Sequence, residues 1–149
     1  MDAQVTSPTE TEVVFHFNVA DPLQYAARLL RKVYRLGQSI TLWCNTEDVE
    51  PISQWLWLHD QMAFVPHAKA GDPILVVERS PVFITSQYPG ERGGTVVSIT
   101  SRLAEHIQHF SKFIEIVGPD DEARANARAR WRHYQANGVK PTGFDSIAR

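Results

Sequence analysis

The sequence predicts an α/β protein: a single-domain layered sheet with helices on both faces, in a nucleotide-binding-like topology without a phosphate loop. Two observations predict this class. β-Branched and aromatic runs alternate with helical patterns along the chain, beginning β-α-β and joined by connections of a few residues. At 149 residues the chain also has the size of one domain with a real core, too small for two ordinary catalytic domains.

Residues 1–11 (MDAQVTSPTET) are polar and aperiodic and read as a flexible leader; residues 12–138 read as the domain and residues 139–149 as a C-terminal tail. Val13 to Phe17 is the first predicted strand. Asp21-Pro22 supplies a cap and an N1 proline for a helix over Leu23 to Leu36, where Leu23, Ala26, Ala27, Leu30, Val33 and Tyr34 recur at three- and four-residue steps and Gly37 stands at C′. Ser39 to Cys44 is the second strand. Another helix starts near Thr46, with Glu47, Asp48 and Glu50 in its early turns and Pro51 tolerated in the first turn, and runs toward Trp57. His59 to Asp72 has mixed character. Ile74 to Val77, Val82 to Thr85 and Thr95 to Ile99 read as strands, Gly90 to Gly94 as a turn, Arg102 to Phe110 as helical and Lys112 to Val117 as a strand. There is no internal repeat.

The last segment, Pro119 to Gly138, is a nearly complete helix specification. Acids occupy its first turn, alanines and arginines follow, and Gly138 ends it. At 100° per residue Arg124, Arg128, Trp131, Arg132 and Gln135 fall on one side, while Ala123, Ala127 and Tyr134 form an adjoining apolar strip. From Arg124 to Lys140 there are five Lys or Arg and no acids. That stripe suits a ligand that is acidic and apolar together, bound in a salt-sensitive way.

The formal charge of −2 and pI near 6.3 exclude a globally basic, duplex-DNA or membrane-surface protein. Cys44 is the only cysteine, so neither an internal disulfide nor a cysteine-rich zinc cluster can form, and a reducing compartment fits. No signal-like or membrane-spanning apolar run is present, so the expected location is cytoplasmic.

The β-α-β opening invites a nucleotide site, but Asn18-Val19-Ala20-Asp21-Pro22 has no glycine for a pyrophosphate to approach and places a carboxylate where phosphate would lie. Gly71-Asp72-Pro73 reads as a turn. His59-Asp60 with His67 lacks a zinc-protease spacing and reads as ordinary polar contacts. Cys44 with His16 as its base would be a nucleophile; the reading preferred is a buried core thiol. His106 and His109 read as a solvated face. No catalytic residue, cofactor or metal is expected. Trp55, Trp57, Leu58, Met62 and Phe64 crowd one short stretch and cannot all face a small core, so part of that cluster is expected at the surface.

Several of these pieces together resemble the chi subunit family of the bacterial DNA polymerase III holoenzyme. They are Ala27 to Cys44 (ARLLRKVYRLGQSITLWC); Leu56-Trp57 followed by Ala63-Phe64-Val65-Pro66-His67 and Ala70-Gly71; Phe113 to Val117; and Ala127 to Tyr134 ahead of Gly138. The resemblance implies a non-catalytic α/β adaptor that links the clamp loader, through the psi subunit, to the acidic C-terminal tail of single-stranded DNA-binding protein, which ends in Pro-Phe. The tail-binding residues it implies are Arg128, Trp131 and Arg132, with Arg124 on the same stripe. The psi-facing residues it implies are Trp57 and Phe64, a surface that could serve another partner such as a helicase. DNA would be engaged only indirectly and membranes not at all. Trp131 and Arg132 stand where the family commonly has tyrosine and lysine. The competing classes are a direct single-stranded nucleic-acid binder using the same stripe and an enzyme of nucleotide metabolism using the β-α-β crevice.

Overall fold

The computed structural model describes residues 11–58, 67–69, 71–73, 80–90 and 93–146, with only the backbone of Trp57 and Leu58. Among these residues, seven strands and three α-helices follow one another as β1 (Glu12–Phe17), α1 (Pro22–Arg35), β2 (Ile40–Trp43), α2 (Val49–Leu58), β3 (His67–Lys69), β4 (Val82–Thr85), β5 (Thr95–Ser98), β6 (Lys112–Ile116), α3 (Asp121–Ala136) and β7 (Thr142–Asp145). Every strand pairing is parallel, in the order β3-β4-β2-β5-β6-β1-β7. A parallel sheet must be covered on both faces, and it is.

Alternation along each strand divides the core. Leu42 and Cys44, Ile84, Val97, Ile114 and Ile116 point toward α1 and α2, where they meet Ala26, Ala27, Leu30, Ile52 and Leu56. Phe15, Trp43, Val96 and Phe113 point the other way, toward α3, where Ala127 and Tyr134 complete the second layer. The helix ends follow from their caps. Asp21 Oδ1 accepts the Gln24 N–H at 3.1 Å with Pro22 opening α1, and Asp120 Oδ2 accepts the Ala123 N–H at 3.1 Å at the head of α3. Gly138, at φ +87°, takes the left-handed turn that ends α3 without a Cβ penalty.

Four expectations change. The segment Arg102 to Phe110 is not an α-helix; it is an irregular loop ending in a 3₁₀ turn at Ile107–His109. Side chains take several amide donors there, among them His106 N–H, which a helix starting at Arg102 would give to the Arg102 carbonyl. Arg102 N–H donates to Thr100 Oγ1, Ala104 N–H to the Tyr134 hydroxyl and His106 N–H to the Tyr88 hydroxyl, while Ser101 sits at φ +68°. The segment read as a tail, 139–149, instead carries β7, with Val139 and Pro141 buried and β7 paired to β1 at Val14↔Thr142 and His16↔Phe144. An edge strand needs one neighbour and one half-buried face, so Thr142-Gly143-Phe144-Asp145 shows little apolar alternation. At the other edge, β3 lies within the stretch of mixed character, held by β4 and by the Lys69–Glu50 ion pair at 2.7 Å. Thr11, placed in the leader, is buried and donates its hydroxyl to Phe110 O at 2.6 Å. The rest of that leader and the strand expected over Ile74 to Val77 lie outside the described residues.

Candidate functional site

α3 presents different chemistry on its two sides. Ala127, Arg130 and Tyr134 turn inward and are buried. Arg130 donates from Nε to Glu115 Oε2 at 3.2 Å and from a terminal nitrogen to Ser101 O at 3.1 Å. Tyr134 donates its hydroxyl to the same Glu115 oxygen at 2.8 Å and accepts the Ala104 N–H at 3.1 Å. Burial pushes the Glu115 carboxyl up from its ordinary range; the Arg130 charge and the Tyr134 hydrogen bond oppose that rise. This network joins α3 to β6 and to the 101–104 loop, and so sets where the helix's outer face stands.

Arg130 was not singled out from sequence, although a signal was present. It lies three residues from Ala127 and four from Tyr134, on the inward side of the helix, and Glu115 interrupts the apolar run Phe113-Ile114-Glu115-Ile116-Val117. A carboxylate in a buried strand requires a partner, and the one inward arginine of α3 is that partner.

On the outer side, Arg128 and Arg132 are exposed and form no ion pair among the described residues. Trp131 is half-buried beside them, at the edge of the stripe nearer the core. Its ring lies 5.1 Å from that of Phe15 and 6.2 Å from that of Phe17, and its outer edge lies beside Gly143 of β7, where a Cβ would stand 3.7 Å from Trp131 Cη2 and 3.2 Å from Phe17 Cε2. The indole is therefore a fixed apolar step at the edge of a stripe whose Arg128 and Arg132 have no ion pair among the described residues. Arg124 is engaged differently, donating to Asp121 at 2.7 Å in a solvated i,i+3 pair. A pair of that kind contributes only about 0.2–0.5 kcal/mol and yields readily to a better anion.

Of the second expected surface, the structure places the Trp57 backbone near the C-terminal end of α2; its side chain and all of Phe64 and Met62 lie outside the described residues. Trp55, two residues earlier, is half-buried against the α1–α2 core with the Arg31 guanidinium 5.7 Å from its ring centroid.

The candidate nucleophile and base do not meet. β5 and β6 separate β2 from β1, and the His16 Nδ1 is hydrogen-bonded to the Tyr25 hydroxyl. Cys44 is fully buried, and burial, reinforced by Asp48, pushes its thiol up to about 12. The His16 imidazole is held below its ordinary value by burial and then by Lys112. His67 bonds Ser53 Oγ at 2.9 Å, and His59-Asp60 lies outside the described residues. Among the described residues no group of His, Cys, Asp and Glu is arranged to hold a metal, and no helix is long and apolar enough to cross a membrane. At the β1–α1 junction Asn18 takes φ +61° and bonds Asp145, and the Asp21 carboxylate occupies the head of α1. The first amides of α1 therefore face a carboxylate.

The sequence model of the DNA polymerase III chi subunit (HolC) family matches residues 11–142, nearly the whole described domain. The chain belongs to the chi subunit family. It is similar to the DNA polymerase III subunit chi of Pseudomonas aeruginosa, 29% identical over 124 residues that cover 80% of this chain and 84% of that protein. It is also similar to the DNA polymerase III subunit chi of Haemophilus influenzae, 23% identical over 120 residues that cover 77% of this chain and 81% of that protein. The match to the chi family runs through α1, β6 and the whole of α3, so the arginine and tryptophan face lies inside the matched region.

Proposed function

We propose that this protein is a non-catalytic replication adaptor within a DNA polymerase III assembly, acting in the cytoplasm, and that the outer face of α3 captures the acidic C-terminal tail of single-stranded DNA-binding protein. The observation that carries the reading is a pair of guanidinium groups, Arg128 and Arg132, without an ion pair among the described residues, on the same face of α3 as the half-buried Trp131 at its edge. Guanidinium forks bind carboxylates in two-pronged hydrogen bonds, and the exposed edge of the indole offers apolar surface to a terminal phenylalanine. Arg124 would add to the field once the peptide displaces its solvated pairing with Asp121. Rim charges of this sort raise the association rate and selectivity, so binding should weaken as salt rises. A second surface, carried by Trp57 and Phe64, would dock psi or another partner such as a helicase.

Isothermal titration calorimetry with a tail peptide tests the reading. Arg128→Ala should weaken binding by about 1–3 kcal/mol, the scale of a lost charge-assisted hydrogen bond. Arg128→Lys should recover only part of that, because an ammonium cannot make the forked contact. Equal affinities for wild type and Arg128→Ala would place the site elsewhere. Tight binding of a labelled single-stranded oligonucleotide by the chain alone would favour direct nucleic-acid binding over the adaptor reading.

A further inference from the structure

A second concave site lies on the sheet face opposite α3. Phe15 and Phe17 point toward Trp131, so Val14 and His16 on the same strand point away from it. There α1 and β7 border a cavity of roughly 700 Å³ whose apolar lining is Val14, Leu29 and Phe144.

Its polar groups are divided between its two ends. Toward the start of α1, the His16 ring lies 5.0 Å from the Phe144 ring and 5.5 Å from that of Tyr25, with the Tyr25 hydroxyl bonded to His16 Nδ1. These rings form a fixed aromatic wall. Toward the end of α1 stand Arg28 and Lys32, one turn apart and exposed, with Lys112 of β6 beside them. Arg28 and Lys32 form no ion pair among the described residues, and the single carboxylate at the cavity, Glu12, faces Lys112 at 3.9 Å. Among the described residues, two cations are thus left without a counter-charge.

Tyr25 to Lys32 spans roughly 10 Å along the helix at about 1.5 Å per residue. A ligand that fits must carry a planar ring at one end and a compact anion at the other, within a volume suited to one small molecule. A nucleoside monophosphate has that form, with a base for the aromatic wall and a phosphate for the cations. An acidic peptide without a planar ring satisfies the cations but leaves the rigid ring wall unexplained. We propose that this cavity binds a nucleoside monophosphate, free or as the phosphorylated terminal nucleotide of a single strand, with the phosphate on Arg28, Lys32 and Lys112 and the base against His16 and Phe144. This goes beyond the α3 reading and does not depend on it. It also differs from the β1–α1 crevice, where Asp21 opposes an anion.

Calorimetry on the full chain with thymidine monophosphate, thymidine and inorganic phosphate tests it. The monophosphate should saturate the protein, with each half-ligand weaker by about tenfold or more. R28E/K32E, on exposed positions, should leave the melting temperature in place and weaken the monophosphate by about tenfold or more. R128A should leave it unchanged, so failure here is separable from failure at α3. A 5′-phosphorylated oligothymidine that binds more tightly than both the monophosphate and its unphosphorylated counterpart assigns the site to a strand end; the reverse order against the monophosphate assigns it to the free nucleotide. No saturation at millimolar monophosphate, equal binding by wild type and R28E/K32E, or preferential binding of an acidic peptide lost in R28E/K32E would overturn the proposal.

Discussion

Replacing Arg130 by methionine leaves the Glu115 carboxylate, 1% exposed, without its counter-charge while roughly keeping the side-chain volume. Both groups are removed from solvent, so screening by water does not dilute the effect. Removing one partner of a buried ion pair costs about 3–5 kcal/mol, a large part of the roughly 5–15 kcal/mol that holds a domain folded. At about 2–4 °C per kcal/mol for a domain near this size the melting temperature should fall by roughly 10 °C. The pH dependence supplies a sharper test. Glu115 already has a raised folded-state pKa, so its contribution to stability is fully present below the ordinary carboxylate range and is lost as pH rises through the folded value. Arg130 is the largest factor opposing that rise. Without it the carboxyl moves further up, so Arg130→Met should lose most at neutral pH and approach wild type as the pH is lowered. Urea unfolding followed by tryptophan fluorescence, at neutral pH and about two units lower, reads both effects. The double variant Arg130→Met with Glu115→Gln should recover much of the loss, because no buried charge remains. A single-variant loss under about 1 kcal/mol, or a double variant no more stable than the single, would refute the account of a buried pair.

Cys44 should resist thiol reagents in the folded protein near pH 8, since a thiol pushed up to about 12 is only on the order of one part in ten thousand thiolate there; rapid labelling without denaturant would contradict its burial. Asp120→Ala should cost about 1 kcal/mol by removing the side-chain cap on Ala123 N–H, read as a small drop in melting temperature. Gly143→Val should displace Phe17, 3.2 Å from the new Cβ, and tilt Trp131, weakening the tail peptide by about 1 kcal/mol or more while the fold persists. Unchanged peptide affinity there would separate Trp131 from the site.

The legible parts of this fold are those whose cause is local. α1 could be read from its own Asp21-Pro22 start, its three- and four-residue apolar steps and Gly37, and α3 from Asp120, its alanines and Gly138. Arg102 to Phe110 differs because its sequence allows a helix, while Ser101 at φ +68° precedes it and the His106 N–H goes to the distant Tyr88 hydroxyl. The outer stripe of α3 was legible because Arg128, Trp131 and Arg132 share one helix. The cavity between α1 and β7 was not, because Arg28 and Phe144 are far apart in the chain and β7 was read as tail.

By itself, the sequence determined the alternation of strands and helices, the two amphipathic helices with their caps, the lone cysteine and the cationic face of α3. These depend on neighbours within a few residues, where backbone geometry sets the spacing. Tertiary structure alone decided that Arg130 turns inward to Glu115 while Arg128 and Arg132 face solvent with no ion pair among the described residues, that Cys44 and His16 stand on separated strands, and that residues 142–145 close one sheet edge. Each of those outcomes depends on which distant groups the parallel sheet brings together, and a buried charge or a sheet edge finds its partner across space.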